Sequence, residues 1–132
     1  MKVYPNKSKK ITAVIIPDNS GTKMSSSTIH ICCSIKRIAE EEFKASGIRC
    51  KFNISETYIT SDDFDNTETC VGGVIISSTP DPEIYITPRR IDEYLEACEN
   101  IILKVAKDEK QCIVNIEKED VLVSKYVRKT IK

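Results

Sequence analysis

SETYITSDDFDNTETC, Ser55 to Cys70, is the stretch on which the fold turns. It is polar and acidic, with Asp62, Asp63, Asp65 and Glu68 close together. It reads as one long loop, with at most a short strand over 58–60. Hairpin connections usually have about two to five residues. A loop this long instead crosses to a further parallel strand, or stands where a helix would.

On either side the chain repeats one pattern. Ile48 to Ile54 (IRCKFNI) alternates apolar and polar, as a strand does. Val71 to Ser77 (VGGVIIS) is a nearly continuous apolar run, and so is Ile11 to Ile16 (ITAVII). Such runs read as strands buried on both faces, the habit of parallel sheets. Ile31, Ile35, Ile38 and Ala45 keep helical spacing over about 27–46; Cys32, Ala39 and Phe43 widen the stripe and Glu42 alone breaks it. Gly47 is placed to end that helix as its C′ residue. Thr87 and Pro88 supply an N-cap and a first-position proline for a second helix, whose stripe runs through Ile91, Leu95, Cys98, Ile102 and Val105. Gln111 to Glu117 reads as a strand, and the tail 120–132 as a strand with a short helix, or one helix.

The order β-α-β-loop-β-α-β in 132 residues predicts one α/β domain over 1–132 with a basic arm at 1–10. The favoured architecture is a small doubly wound parallel sheet. A ferredoxin-like α+β sandwich has the same element order, and the length of the 55–70 loop decides against it.

Composition narrows the function classes. The chain is 40% hydrophobic and 30% charged, too rich in core formers for a disordered segment. Its formal net charge is zero, which argues against non-specific nucleic-acid binding. No apolar run approaches the roughly 20 residues that span a membrane, and no apolar segment follows the basic start as in a secretory signal. The expected setting is cytoplasmic. The six cysteines contain no C-x-x-C pair, and there is a single histidine, His30. They read as free, buried thiols, and no metal set is predicted. The acidic loop lacks the spacing and glycine of a calcium loop. No catalytic residue is assigned.

The stretch PDNSGTKMSSSTIH, Pro17 to His30, lies between the first strand and the first helix. It is rich in hydroxyls, and neither helix has an acid in its first turn. A helix start carries free N–H groups and about half a positive charge, which suits an anion. Arg89 and Arg90 open the second helix. In a doubly wound sheet both helix starts share the carboxyl edge of the strands, where ligands bind.

With its strand, hydroxyl-rich loop and long helix, the chain resembles the flavodoxin-like group, in particular the small NADPH-dependent FMN reductases. The likeness covers about residues 11 to 105 in layout. It implies a phosphate held by Ser20, Gly21, Thr22, Ser25, Ser27 and Thr28. It implies a second wall of Thr79, Pro80 and Tyr85 in GGVIISSTPDPEIYITPRR, beside Arg89 and Arg90. The chain departs from the group in three ways: no Gly-Gly loop follows 111–117, there is no tryptophan, and the chain is short. The implied function is binding of FMN or another phosphorylated nucleotide, with a redox role through the flavin. Two other expectations stand beside it: a non-enzymatic interaction or homo-oligomerisation module, and a nucleotide-cleaving or glycosyl-transferring enzyme.

Overall fold

The computed structural model describes residues 6–17, 24–60, 70–108 and 111–124. The elements follow in the order β1 (Asn6–Pro17), α1 (Met24–Ser46), β2 (Asn53–Thr60), β3 (Cys70–Ser78), α2 (Pro88–Asp108) and β4 (Gln111–Val123). The four strands form one sheet in the order β2-β3-β1-β4. Every neighbouring pair is antiparallel. The helices touch each other and lie on one face of this sheet, α1 against β2 and β3, α2 against β1 and β4.

This corrects the expected doubly wound, flavodoxin-like parallel sheet; the arrangement is that of the ferredoxin-like alternative. The cause lies in the stretch that opened the sequence. SETYIT is strand, not loop: β2 runs through Thr60, which pairs with Cys70 of β3. The connection is therefore 61–69, and the two strands form a hairpin. Polarity hid the strand because β2 is an edge, and an edge strand with one wet face can carry serine, threonine and glutamate.

The apolar runs misled for a related reason. Ile11, Ala13 and Ile15 are fully buried on β1, while Thr12, Val14 and Ile16 between them are half-buried. On β3, Val74, Ile76 and Ser78 face the helices, opposite Ile15, Ala13 and Ile11. The burial alternates, as it does when helices cover one face only. Each fully buried isoleucine contributes roughly 1.5–3 kcal/mol through loss of apolar contact with water.

The helices meet this face with Ile31, Ile35 and Ile38 from α1 and Leu95, Cys98, Ile101, Ile102 and Val105 from α2. Glu42, which breaks the α1 stripe, is buried beneath Lys104 of α2, with its carboxylate 3.6 Å from the ammonium. Arg37 pairs with Asp108 across the same seam. Cys32 and Cys33 are exposed rather than buried, whereas Cys50 and Cys98 are buried. Residues 6–10 of the expected basic arm belong to β1 and pair with β4; 1–5 lie outside the described residues.

Because β1 and β3 are antiparallel, the helices that follow them start at opposite ends of the sandwich. α1 has 23 residues and so spans about 34 Å. The two helix starts cannot wall one small ligand.

α1 ends where its sequence says it should. Gly47 has φ +76°, and its N–H donates to the Phe43 carbonyl at 2.8 Å. The Ser46 hydroxyl donates to the Glu42 carbonyl and accepts the Ile48 N–H at 3.2 Å. A Cβ added at Gly47 would meet nothing within 4 Å, so only backbone strain opposes it. Gly47→Ala should therefore lower stability by about 1 kcal/mol in urea denaturation, and Gly47→Asn by less.

Candidate functional site

β3 ends at Ser78, so residues 48–52 have no strand to pair with. Their burial nevertheless alternates: Ile48 and Cys50 point inward, Arg49 and Lys51 outward. Side chains take over the hydrogen bonding that a ladder would supply. The Lys51 N–H donates to Tyr94 Oη at 3.1 Å. The Lys51 carbonyl accepts the Ser78 hydroxyl. Ser78 Oγ lies 2.6 Å from Tyr94 Oη. With the serine proton committed to Lys51, the tyrosine hydroxyl donates to Ser78. Ser78 is 1% exposed and Tyr94 3%, so this closed set satisfies groups that would be costly to bury alone.

The neighbouring groups respond to burial. Burial pushes the Tyr94 phenol well above its ordinary value. A hydrogen bond with Cys98, together with burial, pushes the Cys50 thiol up, so it stays protonated. Burial also raises Tyr85, against the opposing pull of the Arg90 charge.

The second wall is the segment between β3 and α2. Asp81, between two prolines, closes a turn: its carboxylate accepts the Glu83 N–H at 2.9 Å, and its carbonyl accepts those of Ile84 and Tyr85 at 3.1 and 2.9 Å. The turn drives Pro80 and Tyr85 into the core. The Tyr85 and Tyr94 rings meet at 4.8 Å between centroids, tilted by 60°. Thr87 then caps α2, accepting the Arg90 N–H at 3.2 Å.

Between these walls lies a cavity of about 490 Å³, lined among others by Arg49, Lys51, Thr79, Pro80, Tyr85 and Tyr94. Its size is within the roughly 300–1,000 Å³ usual for small-ligand sites. Arg49 is half committed: it binds Glu40 at 2.7 Å, lies 4.0 Å over the Phe43 ring, and holds the Glu40 carboxyl below the usual range. Lys51 has no ion-pair partner among the described residues. The Arg90 guanidinium sits 5.2 Å from the Tyr85 ring centre, on the flank of the cavity. Asp81 is the acid in the lining. A second cavity of about 430 Å³, between β1, β4 and Pro88, sets Asp120 against Lys7 and Lys9, so its charges largely offset one another.

Of the residues expected to bind a cofactor, Thr79, Pro80 and Tyr85 come together here. Arg89 and Arg90 stand at the same end but turn to Glu93 of their own helix, at 3.8 and 3.4 Å. Ser25 and Ser27 fall in the first turn of α1, at the other end, and Thr28 donates to Glu56 of β2 at 3.0 Å. Ser20, Gly21 and Thr22 lie outside the described residues, as do the acids of 61–69. Among the described residues, Ser25, Ser27 and Thr28 thus lie at the other end of the sandwich from Thr79, Pro80 and Tyr85.

Arg49, Lys51, Ser78 and Tyr94 were not singled out from the sequence. Tyr94 carried a usable signal: it lies on the buried stripe of α2, and a buried tyrosine hydroxyl needs a partner. Arg49 and Lys51 look like the wet face of a strand, and nothing local marks them otherwise.

No family model matches this sequence, and no curated protein matches it. Among solved structures, a putative amidohydrolase/peptidase from Burkholderia cenocepacia aligns at 11% identity and TM-score 0.43, over 92% of this chain and 29% of that one. AtUAH in complex with glyoxylate aligns at 9% identity and TM-score 0.45, over 92% and 30%. An amidase of the hydantoinase/carbamoylase family from Burkholderia phymatum aligns at 14% and 0.38, over 92% and 29%. The chain spans less than a third of each of these proteins, and likeness at this level carries no functional argument. Among the described residues no helix is long and apolar enough to cross a membrane, and no cluster of three or more His, Cys, Asp or Glu could hold a metal ion.

The Tyr94 network yields two measurements. Y94F removes the hydroxyl that serves both Lys51 and Ser78, and should cost about 1–3 kcal/mol in urea denaturation at neutral pH. The folded protein also keeps this phenol protonated where the unfolded chain ionises it, from about pH 10. Above that pH the unfolded state binds fewer protons, so stability should fall by about 1.4 kcal/mol per pH unit. Y94F should lack that part of the alkaline loss.

Proposed function

We propose that this domain is a binding module for a small anionic ligand, a phosphate monoester or a free carboxylate of nucleotide size or below, held in the cavity between the 47–52 loop and the 79–87 segment. The observation that carries the reading is the placement of Arg49 and of Lys51, which has no ion-pair partner among the described residues, in the lining of a cavity backed by Tyr85 and Tyr94. Cations at the rim recognise the anion, and the tyrosine rings offer apolar area to the rest of the ligand. Thr79 adds a hydroxyl within the same lining.

Among the described residues of its lining no pair is poised for proton transfer or nucleophilic attack, and the reading is binding rather than catalysis. It differs from the flavin expectation in place: the anion sits with the second wall, not at the start of α1. A cytoplasmic setting belongs to the same reading, where free thiols such as Cys32 and Cys33 stay reduced.

Titration with inorganic phosphate, AMP and FMN, followed by amide NMR shifts, tests it. Shifts should cluster at residues 49–51, 79–85 and 94, and Lys51→Ala should weaken binding by about 10- to 100-fold, the loss expected for one charge-assisted hydrogen bond. Shifts confined to the start of α1, or binding indifferent to Lys51, would refute it.

A further inference from the structure

β2 and β4 are the two edges of the sheet, and their sequences treat exposure differently. An open edge offers unpaired backbone groups to any passing strand, and proteins commonly blunt it with charge and bulges. β4 does so. It carries Glu117, Lys118, Glu119 and Asp120 in succession, and its register against β1 shifts between Val14 and Ile15. β2 does not: NISETYIT has one charge, no proline and no glycine, and is built mostly of good strand formers.

The helix above this edge is unfinished in the same direction. Thr28 of α1 reaches Glu56 of β2, which marks the side of α1 that faces the edge. Cys32, Ala39 and Phe43 follow on that side at helical spacing. Cys32 is exposed, Phe43 is 36% exposed, and neighbouring Ile29 is 67% exposed. The apolar stripe of α1 is thus wider than the core it covers, and its surplus lies over a strand edge that pairs with no other described strand.

We infer that β2 and this side of α1 form an interface with a second copy of the chain, the two β2 strands pairing antiparallel across a two-fold axis into one continuous eight-stranded sheet. Residues paired across such an axis must lie on the same face, which allows few registers. Centring on Glu56 would set that carboxylate against its twin. Centring on Thr57 pairs Thr57 with itself, Glu56 with Tyr58, Ser55 with Ile59 and Ile54 with Thr60, and opposes no like charges. The same axis lays α1 beside its copy, seam to seam. The copies would meet along a strand edge of eight residues, about 26 Å, and a helix side of about 34 Å.

Thr57 meets its own copy in this register, and that makes the interface testable by charge. Sedimentation equilibrium of the wild-type chain should give a dimer. Thr57→Lys and Thr57→Glu should each weaken it by about two- to fivefold by setting like charges opposite one another. An equimolar mixture of the two variants should restore it as a heterodimer, which also shows that both variants are folded. Glu117→Lys, on the other edge, should leave the dimer intact. A wild-type chain that stays monomeric at every concentration overturns the inference. So does a dimer indifferent to both Thr57 variants, a mixture that stays monomeric, or a dimer lost on Glu117→Lys.

Discussion

β1 lies between β3 and β4 and runs against both, and that alignment decides where every other element goes. It brings Ile11, Ala13 and Ile15 under the helices with no exposure at all. It fixes α1 and α2 as antiparallel neighbours, so Glu42 can meet Lys104 and Arg37 can meet Asp108. Slipping β1 by one residue would turn Thr12 and Val14 into the core and its isoleucines out of it, a change affecting every layer at once. The sheet tolerates polar edges because this central strand is specified so firmly.

The same alignment creates the candidate cavity. With β3 stopping at Ser78 and α2 starting at the same end, the 47–52 segment is left to pass over that end without a strand partner. The structure answers with Tyr94 and Ser78, which together satisfy both backbone groups of Lys51. The arrangement holds a loop in place without extending the sheet, and leaves the side chains of Arg49 and Lys51 on its exposed side, Arg49 paired with Glu40. Rigidity of the loop and availability of its cations have one cause.

What the sequence made legible follows from how local each signal is. Both helices, the Ile31-Ile35-Ile38 core of the α1 stripe, the α2 stripe, the Thr87-Pro88 cap and the Gly47 terminus depend on neighbours within a few residues, and they stand where the periodicity puts them, whereas Cys32, Phe43 and Ala45 of the α1 stripe are exposed. The sheet's direction depends on which strands pair, and no local pattern encodes that. The direction turns on SETYIT, whose polarity reads as a loop although an edge strand has the same composition. The site depends on the same point: Thr79, Pro80 and Tyr85 line one cavity, and a parallel sheet would set the α1 start beside them, whereas the antiparallel sheet sets it at the other end. Tyr94 was within reach through its place on the α2 stripe. Arg49 and Lys51 were not, since their role comes from where β3 ends.

The outermost register of β1 and β4 pairs Asn6 with Val123, so the sheet's first and last residues stand side by side. About five ångströms separate partners in an antiparallel pair. A segment whose two ends meet this closely can be spliced into a surface loop of a host protein without prising the host apart. The same pairing joins the first and last described strands, and contacts of such long sequence separation slow the folding of a sheet.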